Sequence, residues 1–318
     1  MTTLRRLPPR LLSIVFLWAA VFLLFLLGDW LHNGFFSTSH AGAIFRTASF
    51  IGLTAIGQTL VVLTGGIDLS VGPLISLGNV FACLMMKGMD ENNLFAISII
   101  LLIGAGIGIL NGLGVSVLGI SPMVMTLATG VITTGITLIY SQGAPTGHAS
   151  PALRTIGVGF TLGVPNSVWI WVIFSALVIL ICKFTTFGRG LYYIGANSTA
   201  ATFSGLRTHV IKSSAYAISG IMAALTGVII AGYTSVALIN IGKDYTMSSI
   251  TAVVIGGTAM TGGKGSYGGT IAGAVLICLI ESILTNLNMQ EAGKKIMNGI
   301  IILVLITLYY RKGQGAKA

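Results

Sequence analysis

Apolar segments follow one another along almost the whole chain, and ten of them approach the length of a membrane-spanning helix. Such a helix needs about 20 mostly apolar residues to cross the hydrocarbon core of a bilayer. Only 8% of the 318 residues are charged, whereas a soluble domain carries about 25%. This composition excludes a soluble enzyme, a disordered chain and a nucleic-acid-binding protein, and it predicts an all-α, polytopic membrane helical bundle. The ten predicted spans are residues 11–27, 44–64, 73–86, 94–118, 122–140, 168–183, 213–235, 247–261, 269–286 and 295–310.

The distribution of Lys and Arg indicates on which side of the membrane each connecting segment lies. An even number of spans puts both termini on one side, whose segments contain eleven basic residues and a single acid, Asp68. The opposite side contains six basic and five acidic residues. Because cytoplasmic loops are enriched in Lys and Arg, we expect both termini in the cytoplasm, with a short basic tail at 311–318. Neither side has room for a soluble catalytic domain, so residues 1–318 are predicted to form one transmembrane domain.

Glycine-rich segments interrupt the apolar pattern at two related places. Residues 64–72 and 261–268 both begin with Thr-Gly-Gly, and each lies between two apolar runs. They predict broken helices at tight turns and a parallel internal repeat, a feature of many transporters. Chance similarity between two glycine-rich segments is the alternative. Elsewhere Gly104, Gly108 and Gly112 recur at four-residue spacing, which predicts a seam where two helices pack closely.

Catalytic motifs are missing from the sequence. Neither the phosphate-binding patterns GxxxxGKS and GxxxxGKT nor the zinc pattern HExxH occurs. The four histidines are scattered over connecting segments. One GxGxxG pattern, at 263–268, joins two membrane spans rather than a strand and a helix, so it predicts a turn and not a nucleotide site. We therefore expect no catalytic residue, no metal ligand and no cofactor site in this chain.

Polar residues inside the apolar segments are the candidates for a translocation pathway. Asp68 follows an apolar run, where it either caps the next helix or contacts a substrate. Glu281 lies within a predicted span, so it faces a polar pathway or reaches water at the outer interface. A neutral, hydroxylated substrate would need uncharged donors and acceptors along its route, although such residues also join membrane helices to one another. The neutral candidates are Ser70, Asn79, Asn111 and Thr126.

One connecting segment, residues 184–211, is long enough to hold structure of its own. Asn197 is a favourable N-cap, residues 198–204 can form about two helical turns, and Gly205 is a suitable C-terminal stop. So short a helix is not stable alone in water, and it must dock on a surface. Its basic surroundings suit either lipid headgroups or a partner protein.

Several blocks of the sequence together resemble the permease subunits of ribose-type ABC sugar importers, a group with xylose, arabinose and galactofuranose permeases. The segment GGIDLSVG at 65–72 is similar to a signature of these permeases, as is Asn111-Gly112 followed by Pro122 and Thr126. Residues 186–205 resemble the family's cytoplasmic coupling helix. The blocks AVVIGG at 252–257 and GGKGS at 262–266 resemble a further conserved region of the family, and all blocks occur in family order.

The resemblance implies a permease in the bacterial cytoplasmic (inner) membrane that imports a monosaccharide or similar small polyol. It implies several partners: ABC ATPase subunits that bind ATP and Mg, a periplasmic or lipoprotein sugar-binding protein, a second permease copy or paralogue that completes a dimer, and membrane lipid. An ion-coupled secondary transporter is the alternative, but it usually needs intramembrane charge pairs, and only Asp68 and Glu281 are available. The residues implied in ATPase coupling are Gly188, Arg189, Gly195, Asn197, Ala200, Ala201, Ser204 and Gly205.

Overall fold

A computed structural model of the chain describes residues 9–31, 35, 37–144, 146–290, 292–297, 299, 300 and 303. These residues form an almost entirely helical bundle with one short β-hairpin. The predicted tail at 311–318 and most of the predicted span at 295–310 lie outside the described residues. The elements are α1 (Pro9–Leu31), α2 (Thr38–Leu63), α3 (Val71–Met86), a 3₁₀ turn (Asp90–Asn92), α4 (Asn93–Ser116), α5 (Pro122–Tyr140), α6 (Pro151–Val158), β1 (Phe160–Thr161), β2 (Val164–Pro165), α7 (Asn166–Phe184), α8 (Thr186–Ala196), α9 (Ser198–Phe203), α10 (Thr208–Thr234), α11 (Lys243–Ile255) and α12 (Tyr267–Asn286).

Seven of the described helices are long and apolar enough to cross a membrane, namely α1, α2, α4, α5, α7, α10 and α12. Helix α3 is apolar but has only 16 residues. Helix α11 corrects the predicted span at 247–261, because it begins at Lys243, ends at Ile255 and has 13 residues. A helix of that length extends about 20 Å, short of the roughly 30 Å of a bilayer core. The predicted polytopic helical bundle is confirmed, whereas the count of ten spans stays a prediction.

Hydrogen bonds between connecting segments define two ends of the bundle. At one end, which we call the glycine-turn end, the backbone N–H of Gly263 donates to the carbonyl oxygen of Leu63 over 3.0 Å. The connections α2–α3, α4–α5, α7–α10 and α11–α12 all lie at this end. At the other end, which we call the hairpin end, the backbone N–H of Gly88 donates to the carbonyl oxygen of His148 over 2.8 Å. The β-hairpin and α6 belong to the hairpin end.

Two long helices, α2 and α10, are shielded from lipid by the others. We compared an apolar 18-residue stretch of each helix. In α2, 89% of this stretch is buried inside the protein, and in α10 78%, whereas in α4, α5 and α7 the buried share is only 22%. The predicted glycine seam accounts for the close packing of α4 on α10. Added methyl groups at Gly104, Gly108 and Gly112 would collide with the α10 backbone, so the seam is confirmed. Helices α2 and α10 therefore form the interior of the bundle, where polar groups are shielded from lipid.

The two glycine-rich turns lie against each other at the glycine-turn end. Helices α2 and α11 both run towards this end, as the predicted repeat requires. However, the first turn follows a long helix and precedes a short one, while the second follows a short helix and precedes a long one. The order long, short, long recurs instead in α2–α3–α4 and α10–α11–α12, which run in opposite directions. This second pattern is typical of the inverted repeats of transporters.

Candidate functional site

A fully buried carboxylate, Asp68, is the centre of a polar cluster between α2 and α3. Its Oδ1 accepts hydrogen bonds from the backbone N–H of Ser70 over 2.9 Å and from the Ser70 hydroxyl over 2.6 Å. Its Oδ2 accepts a hydrogen bond from the hydroxyl of Ser219 on α10 over 2.7 Å. Ser70 directly precedes α3, so the carboxylate satisfies the backbone N–H of the N-cap residue, while α3 itself has no side-chain N-cap hydrogen bond. The Ser219 contact also ties the turn to α10.

The cluster continues from Ser70 to helices α4 and α5. The side-chain amide of Asn111 donates to the Ser70 hydroxyl over 2.9 Å, and the Thr129 hydroxyl donates to Asn111 Oδ1 over 2.6 Å. Beside it, the backbone N–H of Leu69 donates to the Thr126 hydroxyl over 3.1 Å. Hydrogen bonds inside a buried network are strong because the surrounding dielectric is low. The structure thus brings four predicted pathway residues, Asp68, Ser70, Asn111 and Thr126, into one place.

The other two pathway candidates lie elsewhere. Asn79 on α3 accepts a hydrogen bond from the backbone N–H of Leu238 over 2.7 Å and donates to the Thr234 hydroxyl over 3.4 Å. It therefore fastens α3 to the end of α10, on the hairpin side. Glu281 is half-buried on α12, one turn before that helix ends. Neither residue joins the cluster around Asp68.

Two buried polar side chains near the cluster were missed by the sequence analysis. Both amide atoms of Gln58 on α2 and the hydroxyl of Tyr216 on α10 are buried without a hydrogen-bond partner among the described residues. An added methyl group at Gly66 would collide with the Tyr216 hydroxyl, so that hydroxyl lies against the first glycine turn. The sequence does contain a signal for Gln58, because a glutamine in the middle of an apolar run is unusual. It contains no comparable signal for Tyr216, which is a single tyrosine.

Three backbone segments meet at the glycine-turn end, and we call their meeting point the glycine junction. It contains the end of α2 at Leu63, the second glycine turn at Gly263 and the end of α8 at Gly195. A methyl group on Gly195 would collide with the Leu63 carbonyl oxygen and with the Gly263 nitrogen. The Tyr192 hydroxyl donates to the carbonyl oxygen of Gly265 over 3.2 Å, a second link between α8 and this turn. Helix α8 is therefore in direct contact with the end of α2 and with the second glycine turn.

The connecting segment 184–211 contains more helix than the sequence analysis predicted. Helix α7 extends to Phe184, residues Thr186–Ala196 form α8, and α10 begins at Thr208. The predicted short helix is present as α9, with Asn197 Oδ1 accepting from the backbone N–H of Ala200 over 2.9 Å. Gly205 has a φ of +79°, the left-handed conformation expected after a helix. Local capping chemistry was therefore sufficient to locate α9.

The residues implied in ATPase coupling differ in exposure. Gly188 is buried against the α7 backbone, and Ala201 is buried beneath α9. Arg189 is exposed on α8. The outer surface of α9 ends in Phe203, whose side chain is 88% exposed. The group thus divides into Gly188, Gly195 and Ala201, which pack internally, and an exposed set that can contact a partner, namely Arg189, Asn197, Ala200, Ser204 and Gly205.

These features define a class of protein: a polytopic membrane permease with two shielded central helices, a buried polar cluster and an exposed helix at one end. The sequence profile of the family described as "branched-chain amino acid transport system / permease component" matches residues 40–306. The chain belongs to this permease family.

Individual relatives of the chain are import permeases. The chain is 34% identical over 291 residues to the ribose import permease of Haemophilus influenzae, with 90% of each chain covered. It is 34% identical over 261 residues to the fructose import permease of Bifidobacterium longum, covering 80% of this chain and 73% of that one. It is 31% identical over 291 residues to the autoinducer 2 import system permease of Shigella flexneri, covering 90% and 84%. No solved structure matches the chain significantly.

Proposed function

We propose that this chain forms the membrane pathway of an ABC importer for a monosaccharide or a similar small polyol. Two of the relatives described above are named for the import of ribose and of fructose. In this proposal, separate ATPase subunits bind ATP and Mg and supply the energy. A soluble sugar-binding protein delivers the substrate, and a second copy or a paralogue of the chain completes the pathway.

The observation that carries the proposal is the position of α9 beside the glycine junction. Helix α9 has six residues, too few for a stable isolated helix. It follows α8 after a single residue, Asn197, and α8 ends in the junction at Gly195. An exposed aromatic residue at such a site is typical of an interface anchor. A partner that moves α9 would therefore move both glycine turns and the Asp68 cluster next to the first of them.

The charges at the two ends support a cytoplasmic glycine-turn end. Exposed basic residues gather there, namely Lys183, Arg189, Arg207 and Lys264. At the hairpin end the exposed charges have both signs, namely Lys87, Asp90, Glu91, Arg154, Lys243, Asp244 and Lys295. The excess of basic residues marks the cytoplasmic side. In this orientation α9 meets the ATPase in the cytoplasm, and the hairpin end meets the sugar-binding protein outside.

The polar cluster has a mechanical role in the proposal. Asp68 and its neighbours link the first glycine turn to α4, α5 and α10 through neutral donors. Such a network holds four elements in one arrangement, and it can shift as a unit when the glycine junction is displaced. The uncharged partners also suit a sugar, which needs hydroxyl and amide contacts rather than ion pairs.

The test compares two equally exposed apolar residues at opposite ends of the molecule. Phe203 on α9 and Leu162 in the β-hairpin are both 88% exposed. Tagged parent, Phe203→Asp and Leu162→Asp permeases would be purified from native membranes at equal membrane content. We expect Phe203→Asp to lower recovery of the ATPase subunit at least about tenfold, the scale of losing an aromatic anchor, and Leu162→Asp to retain it.

Uptake of labelled ribose and fructose would be measured in the same cells. Loss of uptake together with loss of the ATPase in Phe203→Asp supports the proposal. Equal ATPase recovery in all three proteins would remove α9 as the contact. Sugar uptake that persists without any ATPase and follows an ion gradient would overturn the proposal in favour of a secondary transporter.

A further inference from the structure

Helix α6 is a short helix at the hairpin end that lies between two membrane helices in the sequence. It packs on α10 where a methyl group added to Gly157 would collide with the backbone of Gly232 and Tyr233. The β-hairpin follows it directly. A cleft of about 520 Å³ runs along α6, lined by residues of α6 and by Gly88 and Ala149. Helix α6 is therefore a separate external element that touches the bundle on one side and is open on the other.

A carboxylate from another element holds the start of α6. Asp90, in the 3₁₀ turn between α3 and α4, accepts a hydrogen bond from the backbone N–H of Ala152 over 2.9 Å. Ser150 caps the same helix by accepting from the backbone N–H of Leu153 over 3.2 Å. A negative charge at this position complements the positive end of the helix dipole.

A guanidinium from α2 holds the end of α6. Arg46 Nη2 donates a hydrogen bond to the carbonyl oxygen of Val158, the last residue of α6, over 3.0 Å. Its guanidinium carbon lies 4.9 Å from the ring centre of Phe160 and 5.7 Å from that of Tyr233. The cation thus complements the negative end of the helix dipole and also contacts two aromatic rings. Helix, hairpin and α10 converge on this one side chain.

Arg46 makes favourable electrostatic contacts, but not all of its hydrogen-bond donors have partners. A guanidinium has five N–H donors, and Nε of Arg46 is buried without a partner among the described residues. A buried donor without a partner weakens the arrangement that contains it. This combination suits a contact that is made and broken repeatedly.

Helix α2 connects the Arg46 contact to the glycine junction. Arg46 and Leu63 are 17 residues apart in one continuous helix, a separation of about 25 Å along its axis. The Leu63 carbonyl oxygen accepts from Gly263 in the junction, over 3.0 Å. One rigid element therefore touches α8 at the glycine-turn end and α6 at the hairpin end.

We infer that Arg46 is a positioning residue that latches α6 to α2, so that a displacement of the glycine junction by α9 opens or closes the hairpin end. This inference rests on the function proposed above, because it requires an ATPase that moves α9. Helix α2 tilts as a unit, Arg46 leaves or regains Val158 and Phe160, and α6 follows. The latch couples ATP hydrolysis to sugar transport. Without it, ATP is hydrolysed but less sugar is moved per ATP.

The test uses the complete importer, with its ATPase and binding protein, in proteoliposomes supplied with labelled ribose and labelled fructose. ATP hydrolysis and sugar uptake are measured together for parent and Arg46→Met. We expect Arg46→Met to keep hydrolysis and to lower the sugar moved per ATP at least about fivefold, the lower range of a coupling between sites. Arg46→Lys should fall in between, because lysine keeps the charge and loses the planar contact with the rings.

Arg154→Met is the matched control, because Arg154 is an exposed arginine on α6 itself with no part in the latch. Its ratio of sugar to ATP should equal that of the parent. A merely structural role of Arg46 would lower hydrolysis and uptake in proportion and leave the ratio unchanged, which would overturn the inference.

Phe160→Ala provides a second approach should Arg46→Met fail to insert into membranes. Phe160 is a half-exposed hairpin residue, and its removal weakens the latch from the other side. A lowered ratio in Phe160→Ala supports the inference, and a parental ratio overturns it. If the parent itself shows no ATP-dependent uptake of either sugar, the proposed import of these two sugars fails independently of any Arg46 variant, and the inference fails with it.

Discussion

The hydroxyl of Ser219 on α10 donates a hydrogen bond of 2.7 Å to Oδ2 of Asp68, 151 residues earlier in the chain. Both side chains are fully buried. This contact joins the first glycine turn to α10. The sequence indicated the turn by its glycines and the helix by its apolar residues. The contact places the acid of the signature segment in the interior of the bundle, with hydroxyl and backbone donors around it.

Removal of the Asp68 carboxylate should destabilise the protein in a graded way. Asp68→Ala leaves the Ser70 N–H and two hydroxyls without their acceptor, and each orphaned buried group costs about 1–3 kcal/mol. Asp68→Asn keeps one acceptor oxygen, so its loss should be smaller. Thermal unfolding in detergent should rank parent above Asn above Ala. Ser219→Ala, which removes a single bond, should cost about 1 kcal/mol; equal stability of all four proteins would show that the cluster does not hold the turn.

Gln58→Leu should raise stability. The side chain is fully buried, and neither amide atom has a partner among the described residues, so leucine removes the desolvation cost of an amide while keeping its volume. We expect a gain of the order of 1 kcal/mol, seen as a higher midpoint of thermal unfolding. Thr54→Val is the control, because the Thr54 hydroxyl donates to the Phe50 carbonyl oxygen over 3.0 Å and its loss should not stabilise. A lower midpoint for Gln58→Leu would reveal a polar partner of the amide.

Gly195→Ala should disrupt the glycine junction. The added methyl group has no space between the Leu63 carbonyl oxygen and the Gly263 nitrogen, and overpacking of this kind costs about 1–3 kcal/mol. Gly106→Ala is the matched control, since Gly106 is also helical and its new methyl group would meet open space. We expect sugar uptake to fall for Gly195→Ala and to be kept for Gly106→Ala. Parental uptake in both variants would show that the junction tolerates movement of α8.

The stabilisation of α6 by Asp90, which we call the anchor of α6, should depend on pH. The hydrogen bond from the Ala152 N–H holds the pKa of the Asp90 carboxyl below its ordinary value. Because the folded pKa is lower than the unfolded one, the anchor contributes fully above the ordinary aspartate pKa of about 3.9. Its contribution is lost as the pH falls through the folded value.

Hydrogen exchange of the α6 amides in parent and Asp90→Asn measures this anchor at matched pH. At neutral pH the parent should be better protected than the variant. The difference should disappear at the lowest pH, where the parent carboxyl is also neutral. A difference that is constant over the whole pH range would show that Asp90 stabilises α6 through the shape of its side chain and not through its charge.

Most helices could be predicted from the sequence because their signals are local. Apolar runs predicted α2, α4, α5 and α12. The free energy of transferring a residue from water to hydrocarbon depends little on its distant neighbours. The short α9 was found from Asn197 and Gly205, since capping involves only nearby backbone. By contrast, α8 was missed because its three glycines disfavour a helix, and packing against α7 overrides that preference.

The sequence by itself determined the membrane location, the helical class, the glycine turns and the set of polar residues available for a pathway. Only the tertiary structure decided which of these residues meet: Asp68 with Ser219, Gly195 with Leu63 and Arg46 with Val158. It also separated Asn79 and Glu281 from the cluster and limited α11 to 13 residues. The reason is physical. Hydropathy and capping are properties of neighbouring residues, whereas a contact between distant helices depends on how all of them pack together.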